Sequence, residues 1–305
     1  MSSSNISKVN PYYVSGFLDG ESCFFISIRK NNKYKLGFSV QVVFKISLHK
    51  RELALLERIQ STFGGIGKVS KQSKDSIQFQ VTSLEDLAII IEHLDKYPLI
   101  TQKRADYQLF KQAFELVNCK KHLAMKGLKE LVAIKASMNN GLSDELKDSF
   151  PNITPVSRPI VADQEIQDPN WLSGFTDAEG CFFVDIWESS AYKIGYNVNL
   201  KFQLTQHSRD RVLMTYLKDY FGCGQLFEPT NYNHISYIVK KFSDLDSKIL
   251  PLFTNYPLQG IKNLDFKDFC EVALAVKNKE HLTPKGLKKI QKIKSGMNIG
   301  RYGKF

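Results

Sequence analysis

Two glutamates, Glu21 and Glu179, occupy the same place in two copies of one short pattern: Ser15–Phe25 reads SGFLDGESCFF and Ser173–Phe183 reads SGFTDAEGCFF, identical at eight of eleven positions. The stretches Tyr12–Glu21 and Trp171–Glu179 read as short helices that end in carboxylates. A negative charge there meets the unfavourable end of the helix macrodipole, so something positive must compensate it. Mg2+ is a natural candidate, because it takes one or two carboxylates and fills its other positions with water and phosphate oxygens. Such a pair suits phosphodiester hydrolysis, in which one oxygen attacks and another leaves. A single glutamate of this kind reads as a surface residue; a duplicated pair reads as catalytic. Small residues stand four apart on each helix, Gly16 and Gly20 in the first, Gly174 and Ala178 in the second. Two such helices can approach with their backbones nearly in contact, which is expected to bring Glu21 and Glu179 together.

The elements that must position these acids are repeated too. An offset of 158 carries Tyr34 onto Tyr192, Gly37 onto Gly195, Phe44 onto Phe202, His49 onto His207, Arg51 onto Arg209 and Phe63-Gly64 onto Phe221-Gly222. After small insertions the match resumes at Tyr97-Pro98-Leu99 with Tyr256-Pro257-Leu258, and at Met138-Asn139 with Met297-Asn298. The 305 residues therefore read as two copies of one domain, 1–140 and 169–305. The stretch 141–168, with Pro151, Pro155 and Pro159 among polar residues, reads as an extended linker that resists helix and sheet.

Within each copy the pattern is helix, strand pair, helix, strand pair, helices. Phe38, Val40, Val42, Phe44, Ile46 and Leu48 alternate with Gly37, Ser39, Gln41, Val43, Lys45 and Ser47, and Tyr196, Val198, Leu200, Phe202 and Leu204 alternate with Asn197, Asn199, Lys201, Gln203 and Thr205. Period two means one greasy face, to be covered by helices such as 51–63, 84–94 and 104–117, and one polar face left for a partner. In the first copy the polar set is Ser27, Arg29, Ser39, Gln41, Lys45, Lys68, Ser70, Gln72, Gln78 and Gln80, with Cys23 and Lys33; in the second it is Asp185, Trp187, Asn197, Asn199, Lys201, Gln203, Gln225, Ser236 and Lys240. These side chains suit base edges and phosphates, and a strand of about ten residues at roughly 3.3 Å each spans about one turn of duplex DNA.

Charge points the same way. Lys and Arg number 42 against 31 Asp and Glu, a net +11 that attracts polyanions. No apolar run approaches the ~18 residues of a membrane span, and Met1–Asn10 has neither a signal-peptide core nor an Arg-rich import pattern. Five cysteines without a CxxC pair suggest neither a disulfide framework nor a zinc site.

The segments VSGFLDGES (Val14–Ser22) and LSGFTDAEG (Leu172–Gly180) resemble the two signature motifs of single-chain LAGLIDADG homing endonucleases, and the duplicated element order extends the resemblance over essentially the whole chain. The resemblance implies an α+β fold of two tandem, pseudo-symmetric αββαββα domains forming a DNA-binding saddle of antiparallel sheets. It implies a monomer that reads a long, pseudo-palindromic DNA target in the major groove. It further implies Mg2+-dependent cleavage of both strands with short 3′ overhangs, intron mobility, and residence in the mitochondrion.

By the same resemblance the metal-binding acids are Glu21 and Glu179, with Gly20 and Ala178 beside them, while Asp19 and Asp177 match an acid that is usually structural. Lys103 and Lys262, five residues past Pro98 and Pro257, match a basic residue near the scissile phosphates, and Gln206 matches a polar position that orients active-site water. Leu48 stands opposite Gln206 in the repeat, so the two copies are expected to differ in their chemistry. Ser22 replaces the glycine that usually ends the motif.

Cys23 and Cys181 lie beside the motifs and can touch bases, and the recurring histidines, His49 with His207 and His122 with His281, lack metal-ligand spacing and read as structural or phosphate contacts. The alternative function is an intron-encoded RNA maturase using the basic stretches 120–135 and 277–294. A DNA-binding regulator on the same fold is disfavoured because both acids are present.

Overall fold

Strict alternation along two long strands organises each half of the chain in the computed structural model, which describes residues 8–162 and 164–302. The expectation for Met1–Asn10 therefore falls mostly outside the described residues. Two compact units emerge, Met1–Gln164 and Glu165–Phe305.

In the first unit the order is α1 (Pro11–Glu21), β1 (Ser22–Lys30), β2 (Phe38–His49), α2 (Leu53–Thr62), β3 (Lys68–Lys71), β4 (Ser76–Val81), α3 (Leu84–Lys96), α4 (Lys103–Asn118), α5 (Met125–Ala136) and α6 (Asp144–Ser149). The second unit runs α7 (Pro169–Glu179), β5 (Gly180–Glu188), β6 (Tyr196–His207), α8 (Arg211–Phe221), β7 (Gln225–Phe227) and β8 (His234–Val239). It continues through α9 (Phe242–Asp244), a π-turn (Leu245–Ile249), α10 (Leu250–Asn255), α11 (Lys262–Lys277) and α12 (Pro284–Ser295). Each sheet is antiparallel, in the order β1-β2-β4-β3 and β5-β6-β8-β7.

Both motif helices start on the same chemistry. The Asn10 side chain accepts from the amides of Tyr12 and Tyr13, the Asp168 side chain accepts from that of Asn170, and a proline follows each cap. Proline at the first helical position loses no intrahelical bond, and a polar N-cap is worth about 1 kcal/mol.

The greasy faces are aromatic. Phe24 packs on Phe44, Tyr107 and Phe110 in the first unit, and Phe182 on Phe202, Phe253, Phe266 and Phe269 in the second, with centroids 5.2–5.7 Å apart. Truncating such a buried ring typically costs about 3–5 kcal/mol. At the entry to the third strand of each sheet the backbone of Gly67 (φ +63°) and Gly224 (φ +79°) runs so close to the neighbouring strand that a Cβ would lie 2.7 Å from the Gln80 carbonyl or 2.9 Å from that of Ile238. Only glycine fits such an approach without strain.

Stretch 141–168 departs from the sequence reading. Residues 144–149 form α6, and much of the remainder is held by the first unit: Arg158 makes a two-pronged pair with Asp106 at 2.8 and 2.7 Å, and the buried Gln164 side chain donates to the Ile100 carbonyl at 2.9 Å. Arg158 supplies the anchoring that the proline spacing does not reveal.

Candidate active site and nucleic-acid interface

Glu21 and Glu179 are the last residues of α1 and α7, and both are half-buried. Two residues earlier, Asp19 accepts from the Ile100 amide (3.0 Å), the Thr101 amide (3.1 Å) and the Thr101 hydroxyl (2.6 Å), and Asp177 accepts from the amides of Gln259 (2.7 Å) and Gly260 (3.0 Å). These bonds pin each motif helix to the residues just before α4 or α11, whose first residues are Lys103 and Lys262.

The lysines then reach back to the motif helices. Lys103 Nζ donates to the carbonyls of Gly20 (2.6 Å) and Leu18 (3.3 Å), and Lys262 Nζ to those of Asp177 (2.8 Å), Thr176 (2.9 Å) and Ala178 (3.5 Å). The cation demanded by the helix ends is thus supplied in part from within the chain: an ammonium satisfies the terminal carbonyls and offsets the macrodipole. Gly20, expected beside the metal, has its carbonyl already engaged by Lys103.

Gln206 Nε2 donates to Glu179 Oε1 at 3.0 Å, while Gln206 Oε1 accepts from the His207 amide at 3.1 Å. The Glu179 carboxylate is therefore oriented by a side chain that is itself fixed. Its repeat partner Leu48 is buried in the first unit and has no hydrogen bond to offer.

Strand register places the expected partner-facing residues in rows. Cys23, Lys45, Gln80 and Lys68 align across the first sheet, as do Ser27 with Gln41 and Arg29 with Ser39, and Gln78 with Ser70. A depression of about 450 Å³ on this face is lined by residues including Ser27, Arg29, Ser39, Gln41 and Gln80. In the second sheet Cys181, Gln203, Ile238 and Gln225 align, as do Asp185 with Asn199 and Trp187 with Asn197.

Several placements differ from the sequence reading. Ser236 is buried at 2% exposure, its hydroxyl 2.8 Å from that of Thr205 and accepting from Gln203 at 3.3 Å, because the larger neighbours Ile238 and Phe227 flank it in the register. Lys201 Nζ lies 4.1 Å from the centroid of the Phe183 ring, its partner in the strand register. Gln72 and Lys240 lie one residue beyond β3 and β8, and Lys33 lies in the loop between β1 and β2.

Burial pushes the thiols of Cys23 and Cys181 up from their ordinary range. His49 and His207 accept the amides of Arg51 and Arg209 through Nδ1 (3.3 and 3.1 Å), a local turn-capping role.

Sequence reasoning missed a pair of latches. Asn139 and Asn298 both adopt positive φ (47° and 52°), and their side chains donate to the carbonyls of Phe24 (2.8 Å) and Phe182 (3.0 Å) on the strands that follow the motifs. Their amides donate to buried Asp106 and Asp265, each of which also holds an arginine, Arg158 or Arg301. The recurrence of Met-Asn at 138–139 and 297–298 was the available signal.

A duplicated acid-ended helix, a lysine on its terminal carbonyls and a four-stranded sheet with one polar face define the class. The chain belongs to the LAGLIDADG endonuclease family, whose model matches residues 14–114 and 172–273. The solved LAGLIDADG homing endonuclease I-SmaMI, bound to cleaved DNA, superimposes with a TM-score of 0.95 at 42% identity, covering 97% of this chain and 99% of that one. The same protein is solved with uncleaved DNA target in the presence of calcium ions. Two Neurospora crassa proteins, named probable intron-encoded endonucleases 3 and 2, are 42% and 38% identical over 93% and 95% of this chain. The chain spans 53% and 65% of their lengths.

Proposed function

We propose that this chain is a site-specific homing endonuclease that binds a long, pseudo-palindromic DNA duplex along the polar faces of its two sheets and hydrolyses one phosphodiester on each strand, leaving short 3′ overhangs. The observation that carries the reading is the duplicated glutamate at the end of a family-motif helix, with a lysine on the carbonyls beside it. Calcium in the solved I-SmaMI complex supports a divalent cation, and we assign Mg2+.

The donor set fits that ion. Each half-site offers one half-buried carboxylate, Glu21 or Glu179, next to a backbone carbonyl, Gly20 or Ala178, that a cation would share with Lys103 or Lys262. Among the described residues no group of three or more His, Cys, Asp or Glu forms an all-protein cage, which suits an ion that keeps waters and borrows phosphate oxygens. When bound, the cation would lower the pKa of attacking water and stabilise the leaving oxygen. The chain's own part is to hold that geometry. Asp19 and Asp177 set the start of α4 and α11, Lys103 and Lys262 place positive charge beside the acids, and Gln206 orients Glu179. In this reading a monomer carries both half-sites, one on each motif.

In function the enzyme promotes intron mobility, and it works in the mitochondrion. Five exposed lysines on α12, Lys285, Lys288, Lys289, Lys292 and Lys294, favour a second reading in which intron RNA is also bound.

The test is selection of cut sites from a randomised duplex library with Mg2+, followed by Glu21→Gln and Glu179→Gln on the recovered target. Each variant is expected to abolish double-strand cleavage and to retain DNA binding by gel shift. Undiminished cleavage by either one would overturn the assignment.

A further inference from the structure

The two motif helices end on different hydrogen-bond arrangements, and Ser22 against Gly180 is the difference that places a hydroxyl there. In the first unit the Leu18 carbonyl accepts from the Ser22 backbone amide and from the Ser22 hydroxyl at 2.6 Å. A carbonyl oxygen has two lone pairs, and the Ser22 amide and hydroxyl compete for both. Lys103 is left at 3.3 Å from that carbonyl and makes its short bond, 2.6 Å, to the Gly20 carbonyl adjacent to Glu21. In the second unit the equivalent residue is Gly180, which brings only its amide to the Thr176 carbonyl. Lys262 accordingly settles 2.9 Å from Thr176 O and 2.8 Å from Asp177 O, and only 3.5 Å from Ala178 O beside Glu179.

We propose that Ser22 is a positioning residue that displaces the Lys103 ammonium along the helix end onto the Gly20 carbonyl, making the first half-site the weaker of two divalent-cation sites. The inference rests on the assignment of Glu21 and Glu179 as cation ligands. Its physical content is competition: an ammonium on the carbonyl next to the acid occupies one oxygen donor and repels the incoming cation. In the second half-site the ammonium is held farther back, and Gln206 fixes the carboxylate besides. The two half-sites then fill at different cation concentrations, and the strand served by Glu179 is cut at the lower one.

The experiment uses the full chain with Ser22→Gly and, separately, Ser22→Ala, which keeps the Cβ but lacks the hydroxyl. Crystal structures of both variants are expected to show Lys103 Nζ closing on the Leu18 carbonyl, as Lys262 does on Thr176, and withdrawing from Gly20. Calorimetric titration with Mn2+ alone is expected to resolve two classes of site in the wild type, the weaker removed by Glu21→Gln and the tighter by Glu179→Gln. Both Ser22 variants should tighten the weaker class about tenfold, the low end of what outer-shell partners of metal ligands are worth, and leave the other unchanged. An unmoved Lys103, an unchanged weaker class, or a shift in Ser22→Gly without one in Ser22→Ala would overturn the proposal. If neither Glu→Gln variant removes a class, the cation-ligand assignment itself fails and the proposal with it, an outcome distinct from a failure of Ser22 alone.

Discussion

The two units share their backbone devices and differ in residue types near the acids. Asp19 and Asp177 both receive amides from the residues before the lysine-bearing helix, and Asn139 and Asn298 both latch the strand after the motif. Around the glutamates, by contrast, the first unit has Leu48 and Ser22 where the second has Gln206 and Gly180. Bonds that place backbone are shared between the copies because losing one displaces a whole helix. Positions that set the polarity beside a carboxylate can diverge, since the fold survives either choice.

The shared latches offer the largest effect by which to break this comparison. Asp106 and Arg158 form a pair in which the carboxylate is 6% and the arginine 35% exposed, and Asp265 meets Arg301 at 7% and 21% exposure. Removing one partner of a buried pair leaves an uncompensated charge and costs about 3–5 kcal/mol. Asp106→Ala is expected to lower the stability of the first unit by about 3 kcal/mol in urea unfolding, the low end being set by the partial exposure of Arg158. Asp265→Ala is expected to cost less, because Arg301 keeps a second carboxylate, Asp268. Equal losses, or a loss under about 1 kcal/mol at Asp106, would show that the latches do not hold the units in the way their geometry indicates.

These latches also mark the limit of what the chain reveals in one dimension. Period-two alternation made the strands and their faces legible, the repeat located both acids, and the family resemblance singled out both lysines. Arg158 and Arg301 escaped because they do not share the repeat's offset: the first lies 52 residues past its aspartate, the second 36. Equivalent atoms reach equivalent places from non-equivalent sequence positions, and a search by register cannot find them. The lysines were legible as positions but not as caps, since donation to helix-end carbonyls depends on how α4 and α11 are pinned. Ser236 was misplaced because alternation assigns a face and not an exposure; its neighbours' bulk decides the latter.

A second difference makes the units respond unequally to acid. His93, on α3, lies 3.2 Å from the Ser15 hydroxyl of the motif helix, and burial lowers its pKa from 6.5 to about 4. The folded state therefore binds fewer protons than the unfolded state between these values, so the contribution of neutral His93 is complete above pH 6.5 and is lost as pH falls towards 4. The loss amounts to about 3 kcal/mol. Leu252 occupies the matching place before Tyr256 in the second unit. The expected outcome is a first unit that weakens over this window, and His93→Leu should remove most of the dependence. A pH profile unchanged by that substitution would assign the acid response elsewhere.

The smallest expected effect tests why glycine persists in one motif and serine in the other. A Cβ on Gly180 would lie 2.5 Å from Thr176 Cγ2 and 2.8 Å from the Thr176 carbonyl. In the first unit the residue four before Ser22 is Leu18, which has no branch at Cβ, so the Ser22 side chain is accommodated and bonds the carbonyl instead. Gly180→Ser alone is therefore expected to cost about 1–3 kcal/mol through overpacking. Gly180→Ser with Thr176→Leu, which rebuilds the first unit's arrangement, should recover at least about 1 kcal/mol of that loss as coupling between neighbours. Ser22→Gly removes a single hydrogen bond and is expected to cost only about 1 kcal/mol. If the double variant is simply the sum of its singles, the two residues do not read each other, and the serine and glycine would be interchangeable accidents rather than two solutions to the same crowded helix end.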